Sequence, residues 1–221
     1  MNGAFGPAAH DFSSEAIFSL IRTQLHWPDN IEWVPLSIDS TFYFAGLQVD
    51  QGEQDRRKKA GLQAIESTGL LHALWDIPNG IPFPSNAFST LNRETLKEAD
   101  EGWVEKHGTD FVRRFNPAGT VRCIAATDKS LLRSIRKAAA HPPTVRRTAV
   151  WMTSSNGPHC RYREELTFAA SLGIGVVAMG QLEVHPLVDP EPPIRGRSNV
   201  FRWWQAELAF RNLIRNTVPT E

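Results

Sequence analysis

Apolar positions along this chain switch repeatedly between helical and strand spacing, and the switching becomes regular in its second half. In "HDFSSEAIFSLIRTQLHW", Ile17, Phe18, Ile21 and Leu25 recur at helical spacing behind Ser13 or Ser14 as cap, which predicts an opening helix. "WPDN" then favours a turn. "IEWVPLSIDSTFYFAGLQVD" is rich in β-branched and aromatic residues and predicts two strands joined near Asp39–Ser40, with Asp50 at the end of the second. Residues 51–76 read as helix, with Leu62, Ile65 and Leu70 buried and a break at Gly69. Between about 78 and 119 the rhythm weakens. A loop rich in proline is followed there by the polar "TLNRETLKEADEGWVEKHG", which predicts an exposed helical insertion at about 85–115.

Beyond residue 119 the order is clearer. "TVRCIAAT" is a strand, and "DKSLLRSIRKAAAH" is a helix with Thr127 or Asp128 as cap. "TAVWM", "EELTFAASLG", "GIGVVAMG" and "LEVHPLV" then follow as strand, helix, strand, strand. A final amphipathic helix, "NVFRWWQAELAFRNLIRN", offers Trp203, Leu208 and Leu213 for packing. Strand and helix in alternation predict a single α/β domain spanning 1–221, a mixed sheet flanked by helices with an N-terminal helix and a helical insertion.

A hydrophobic content of 41% and a charged content of 22% belong to a folded globular chain. No apolar run approaches membrane-spanning length, no signal-peptide pattern opens the chain, and Cys123 and Cys160 form no paired motif. A reducing, cytoplasmic setting without a membrane partner is the expectation. The zero net charge conceals a division: residues 1–110 carry 8 Lys+Arg against 16 Asp+Glu, and residues 111–221 carry 16 against 8. Such halves either face each other, within one subunit or between copies as a homo-oligomer, or the basic half meets phosphate. Arginine supplies 14 of the 16 cations in that half, which suits bidentate phosphate or carboxylate contacts.

Candidate chemistry concentrates there. On the helix after residue 128, Leu131, Leu132, Ile135, Ala138 and Ala139 form one stripe, with Lys129, Arg133, Arg136 and Lys137 opposite. Together with Arg146, Arg147, Arg161 and Arg163 these cations are candidate contacts to the backbone of DNA or RNA, against the plain alternative of a solvated basic face. Glu164 and Glu165 open the next helix, where carboxylates are favourable near the positive dipole end; a catalytic Glu165 requires in addition a pocket at the strand ends. Asp50, with Glu53 and Asp55 following, is a candidate half of a Mg2+ site, against an ordinary turn aspartate. The seven histidines show no metal-ligand spacing, and His159–Cys160 lacks a third orienting group.

Two resemblances follow from these residues. The stretch from "TVRCIAATDKSLLRSIRKAAA" through "TAVWM" to "EELTFAASLGIGVVAMGQLEVHPLVDPEPP" resembles the back half of PD-(D/E)XK nuclease-like domains. There a strand bearing Glu-x-Lys runs into a helix, then a strand, then a helix, a "GIG"-type strand and a proline-rich edge. The resemblance implies a nuclease-like core with Asp50 as first acid and metal ligand, Lys129 as the lysine, and Thr127 where a carboxylate is expected, hence nucleic-acid association with degenerate catalysis. Secondly, "FYFAG" and "EELTFAASLGIGVV" resemble nucleoside deoxyribosyltransferases and TIR-like glycosidases. That implies Glu165 as the carboxylate acting on a ribosyl carbon, in place of a phosphodiesterase. A non-enzymatic assembly subunit is the third reading.

Overall fold

A computed structural model describes residues 30–38, 41–153, 162–180, 184–194 and 199–217. The expected opening helix, Cys160 and Arg161 lie outside the described residues. Strands β1 (Glu32–Ile38) and β2 (Thr41–Val49) pair antiparallel, with Ile38 opposite Thr41. Helices α1 (Gln51–Ala60) and α2 (Thr68–Trp75) follow. The region expected to be a break at Gly69 is instead split at Gly61, which caps α1 at φ 67° while its N–H reaches the last carbonyls of the helix. Glycine reaches that left-handed conformation without the steric cost a Cβ imposes.

The insertion is only partly helical. Helix α3 (Thr90–Glu98) ends at Glu98, and β3 (Phe83–Pro84), β4 (Val104–His107) and β5 (Asp110–Arg113) build a small sheet of order β3-β5-β4. The continuation of α3 through "EGWVEKHG" is therefore corrected to a β-hairpin that turns at Gly108, φ 60°. Burial explains the switch. Trp103, Val104, Phe111 and Phe115 join Leu71, Leu74 and Leu96 in a core of their own, to which Trp203 also belongs, so the region has an inside of its own.

The main sheet has the order β1-β2-β6-β7-β8-β9, with β6 (Gly119–Asp128), β7 (Arg146–Met152), β8 (Gly175–Met179) and β9 (Val184–Val188). Strands β6, β7 and β8 run parallel, and β9 returns antiparallel. Helices α4 (Leu131–Ala139) and α5 (Arg163–Ser171) are the two crossovers, and α6 (Val200–Thr217) packs on β1, β2 and β6. One face of the sheet, through Leu36, Ala45, Ile124, Ala149 and Val176, shares a core with Leu131 and Ile135 of α4, Ala169 of α5 and Phe210 of α6. The other carries Phe44, Ala125, Val150, Val177 and Met179, all buried. This is the expected mixed α/β architecture. Among the described residues no helix is long and apolar enough to cross a membrane.

One polar cluster lies inside that core. His141 sits edge-on to Tyr43, ring centroids 4.6 Å apart, and its Nδ1 lies 3.0 Å from Gln205 Nε2. The amide nitrogen can only donate, so Nδ1 accepts and the ring proton stays on Nε2, which has no partner among the described residues. Burial, helped by the Arg147 charge, pushes the His141 pKa down from 6.5 to about 4. The native state thus binds fewer protons at this ring than the unfolded chain between those values. Stability is expected to be intact above pH 6.5 and to fall toward pH 4, at up to about 1.4 kcal/mol per pH unit. Urea titrations of the wild type and His141→Gln across that range check it, the variant giving the flatter profile.

Candidate functional site

The edge of the sheet where β6, β7 and β8 end gathers most of the chemistry expected of this chain. Strand β6 delivers Asp128 there, and its Oδ1 accepts the Ser130 N–H at 2.9 Å. Ser130, in place of Thr127 or Asp128, caps α4, its hydroxyl accepting from the Arg133 N–H. Asp128 also pairs with Lys137 at 3.0 Å and Arg133 at 3.2 Å. Burial pulls its carboxyl up, but the Ser130 N–H, Lys137 and Arg133 together outweigh burial and hold it below the usual aspartate value. Lys137 further donates to the Thr127 carbonyl at 3.2 Å.

Strand β7 contributes Trp151, whose indole N–H donates to the Lys129 carbonyl at 3.2 Å while its ring meets Tyr162 at 4.5 Å. Tyr162 opens α5, so this contact ties the start of α5 to the residues that lead into α4. Lys129 and Glu165 therefore share one edge of the sheet. Arg133 is 68% exposed there, and Lys129, Arg136 and Arg163 are exposed as well.

Asp50 does not join them. Its neighbour Val49 pairs with Gly119 at the start of β6, whereas Lys129 follows the end of that strand. Nine residues of extended chain set these positions about 30 Å apart. Asp50 caps α1, accepting from the Glu53 N–H at 3.0 Å, and lines an open groove of about 370 Å³ with Gln48, Asn116 and Thr120. Nor do its neighbours assemble a Mg2+ site. Glu53 turns inward, with both carboxylate oxygens held by Arg56 and Arg57, and Asp55 accepts from Gln51. A cation beside two guanidiniums is disfavoured by simple repulsion. Among the described residues, no group of three or more His, Cys, Asp or Glu side chains is arranged to hold a metal ion.

The expected basic track is likewise divided. Arg146 and Arg147 begin β7, at the opposite edge of the sheet from Lys129. Arg147 donates to the carbonyls of His141 and Leu172, at the C-terminal ends of α4 and α5, a position where a cation completes unpaired helix carbonyls. The surface cations of α4 and α5 reduce to Lys129, Arg133, Arg136 and Arg163, with Lys137 half-buried between them. Glu164 and Glu165 stand in the first turn of α5, and the open depression along that helix is lined by Arg163, Glu164, Thr167, Phe168 and Ser171. Glu165 is not among its walls.

The most tightly organised polar group was not legible in the sequence. Arg57, 1% exposed, donates to Glu53 at 2.8 Å, to both oxygens of Glu207 at 2.8 and 2.9 Å, and to the Asn116 carbonyl at 2.6 Å. Glu207 also accepts the N–H groups of Ile65 and Ala118, and Trp103 lies against the guanidinium at 4.6 Å. Every oxygen of Glu207 is occupied, so the cluster locks α1, α6 and the insertion together and leaves nothing for substrate. Its only sequence signal is a glutamate at an apolar-facing position of α6. Cys123 is also buried, its thiol pushed well above the usual range by burial. No family model matches the chain, and no curated protein or solved structure matches it significantly.

Proposed function

We propose that this protein associates with nucleic acid through the exposed cations of α4 and α5, on a nuclease-like core whose role is binding. The observation that carries the reading is the exposure of Lys129 and Arg133 at the start of α4 and of Arg163 at the start of α5, with Arg136 one turn further along the same exposed side of α4. Backbone N–H groups at helix N-termini add to such cations in attracting phosphate. Three of the four are arginines, which grip phosphate in a bidentate manner. The succession β6, α4, β7, α5, β8 and a proline-bearing edge follows the order that the nuclease resemblance implies. The reading does not extend to phosphodiester cleavage, because Asp50 stands some 30 Å from Lys129 and its acidic neighbours are committed to arginines.

Binding of this kind is sequence-tolerant and releases counterions. Affinity for a DNA or RNA duplex or single strand is expected to fall steeply with salt, with a log–log slope of about −0.7 to −0.9 per phosphate contacted. Arg133→Glu with Arg136→Glu is expected to lower affinity at least tenfold and to flatten the slope by about two contacts. Fluorescence anisotropy over a salt series checks this; salt-indifferent binding, or none, overturns the reading.

A further inference from the structure

Acidic side chains gather at the wrong end of a helix in this structure. Glu98 is the last residue of α3, Asp100 and Glu101 follow it, and Glu94 lies one turn earlier; all four are exposed. The single exposed cation among them, Lys97, is paired with Glu94 at 3.2 Å. A helix C-terminus carries partial negative charge, so carboxylates there weaken the helix that bears them. The mirror arrangement occurs on α4, where Lys129 and Arg133 flank the N-terminus, the partially positive end. The acids of α3 do not serve their own helix, and on α4 Arg133 alone is offset, by Asp128 beside that N-terminus. Each placement is what a complementary charged surface outside the chain would offset.

Among the described residues, Asp128 meets Arg133 and Lys97 meets Glu94, while Glu98, Glu101, Lys129, Arg136 and Arg163 have no ion-pair partner within one copy. The ion pairs between described residues that join the acidic half to the basic half run from Glu66 to Arg211 and Arg215, from Glu105 to Arg114, and inside the Arg57–Glu207 lock. Among the described residues no ion pair connects α3 to α4 or α5. Each surface also exposes one large apolar side chain: Leu91, 75% exposed and on the Glu94–Glu98 side of α3, and Phe168, 44% exposed on α5. An apolar contact inside a charged rim is the usual composition of an interface.

We propose that copies of this chain associate head to tail, the acidic end of α3 of one seated on the Lys129–Arg133–Arg136–Arg163 face of the next. This rests on the reading above that the α4–α5 face binds anions, and it makes nucleic acid a competitor for that face. Joining two different surfaces leaves one of each free, so association is open-ended unless the rotation between copies closes a ring. Screening shortens the reach of these charges from about 10 Å at 0.1 M salt to about 3 Å at 1 M, so the assembly dissolves in salt.

Sedimentation velocity with the full chain tests it. The wild type is expected to grow with concentration at low salt and to be monomeric at 1 M salt. Glu94→Lys with Glu98→Lys and Glu101→Lys should be monomeric throughout, as should Arg133→Glu with Arg136→Glu. Each variant keeps one intact side of the contact, so mixing the two restores a complex, which also reports that both are folded. Lys58→Glu with Lys59→Glu, an exposed pair reversed elsewhere, leaves self-association unchanged. A single-stranded oligonucleotide should dissociate the wild-type assembly. A wild type that stays monomeric at low salt, or a mixture that forms no complex, overturns the proposal. If that monomer still binds the oligonucleotide in a salt-dependent way, the nucleic-acid reading stands alone. Complementing assembly with no oligonucleotide binding sinks the nucleic-acid reading and leaves the self-association.

Discussion

Glu207→Ala is expected to lower folding stability by about 3–5 kcal/mol, the usual cost of leaving a buried charge without its partner. Arg57 would keep Glu53 and the Asn116 carbonyl, but its Nη1 would lose its acceptor and its Nη2 one of two, in a site closed to water. The backbone N–H groups of Ile65 and Ala118 would lose theirs as well. Because α6 and α1 meet here, the loss should be global: a lower urea midpoint at unchanged slope. Arg57→Met combined with Glu207→Leu should cost less than Glu207→Ala alone, because no buried charge is then stranded. A single-variant loss below about 1 kcal/mol, the worth of a solvated surface pair, would show that water reaches the cluster.

The second large effect is expected at Gly46. A Cβ there would stand 2.2 Å from the Cys123 sulfur and 2.8 Å from Ile31 Cγ2, far inside contact distance. Gly46 lies opposite Cys123 where the β2–β6 register shifts, and Cys123 is buried in one cluster with Ile31 and Trp33. Gly46→Ala is expected to cost about 1–3 kcal/mol or more through overpacking. Cys123→Ala removes the nearest atom, so the double variant should recover part of the loss, with a coupling of about 0.5–3 kcal/mol. Thermal melts of the four proteins in this cycle check it. Simple additivity would mean that the strands separate and no longer clash.

Where local chemistry decided structure, the sequence was readable. The β-branched runs at 32–38, 41–49 and 119–128 became strands, and the stripe Leu131, Ile135, Ala138 became the buried side of α4. The basic side of that helix was legible for the same reason, since residues opposite an apolar stripe must face solvent. Reading failed in the insertion. The polar composition of 90–108 suggested one exposed helix, but Trp103, Val104 and Phe111 found a core supplied by α2 and α6, distant in sequence. Such long-range burial overrides local propensity. Site geometry failed in the same manner: Asp50 and Lys129 both adjoin strands, and only pairing direction reveals that they occupy opposite ends of the sheet.

Alternation of period thus determined, from the sequence alone, that this chain builds a mixed sheet covered by helices and that its second half presents arginine to solvent. The tertiary structure decided which charges meet. Arg57 and Glu207 are 150 residues apart and joined inside the core, whereas the acids of α3 and the cations of α4 are left outside it, unpaired with one another. The reason is physical: helical and strand periods are properties of neighbouring residues, whereas an ion pair is fixed by packing between elements that no local pattern relates.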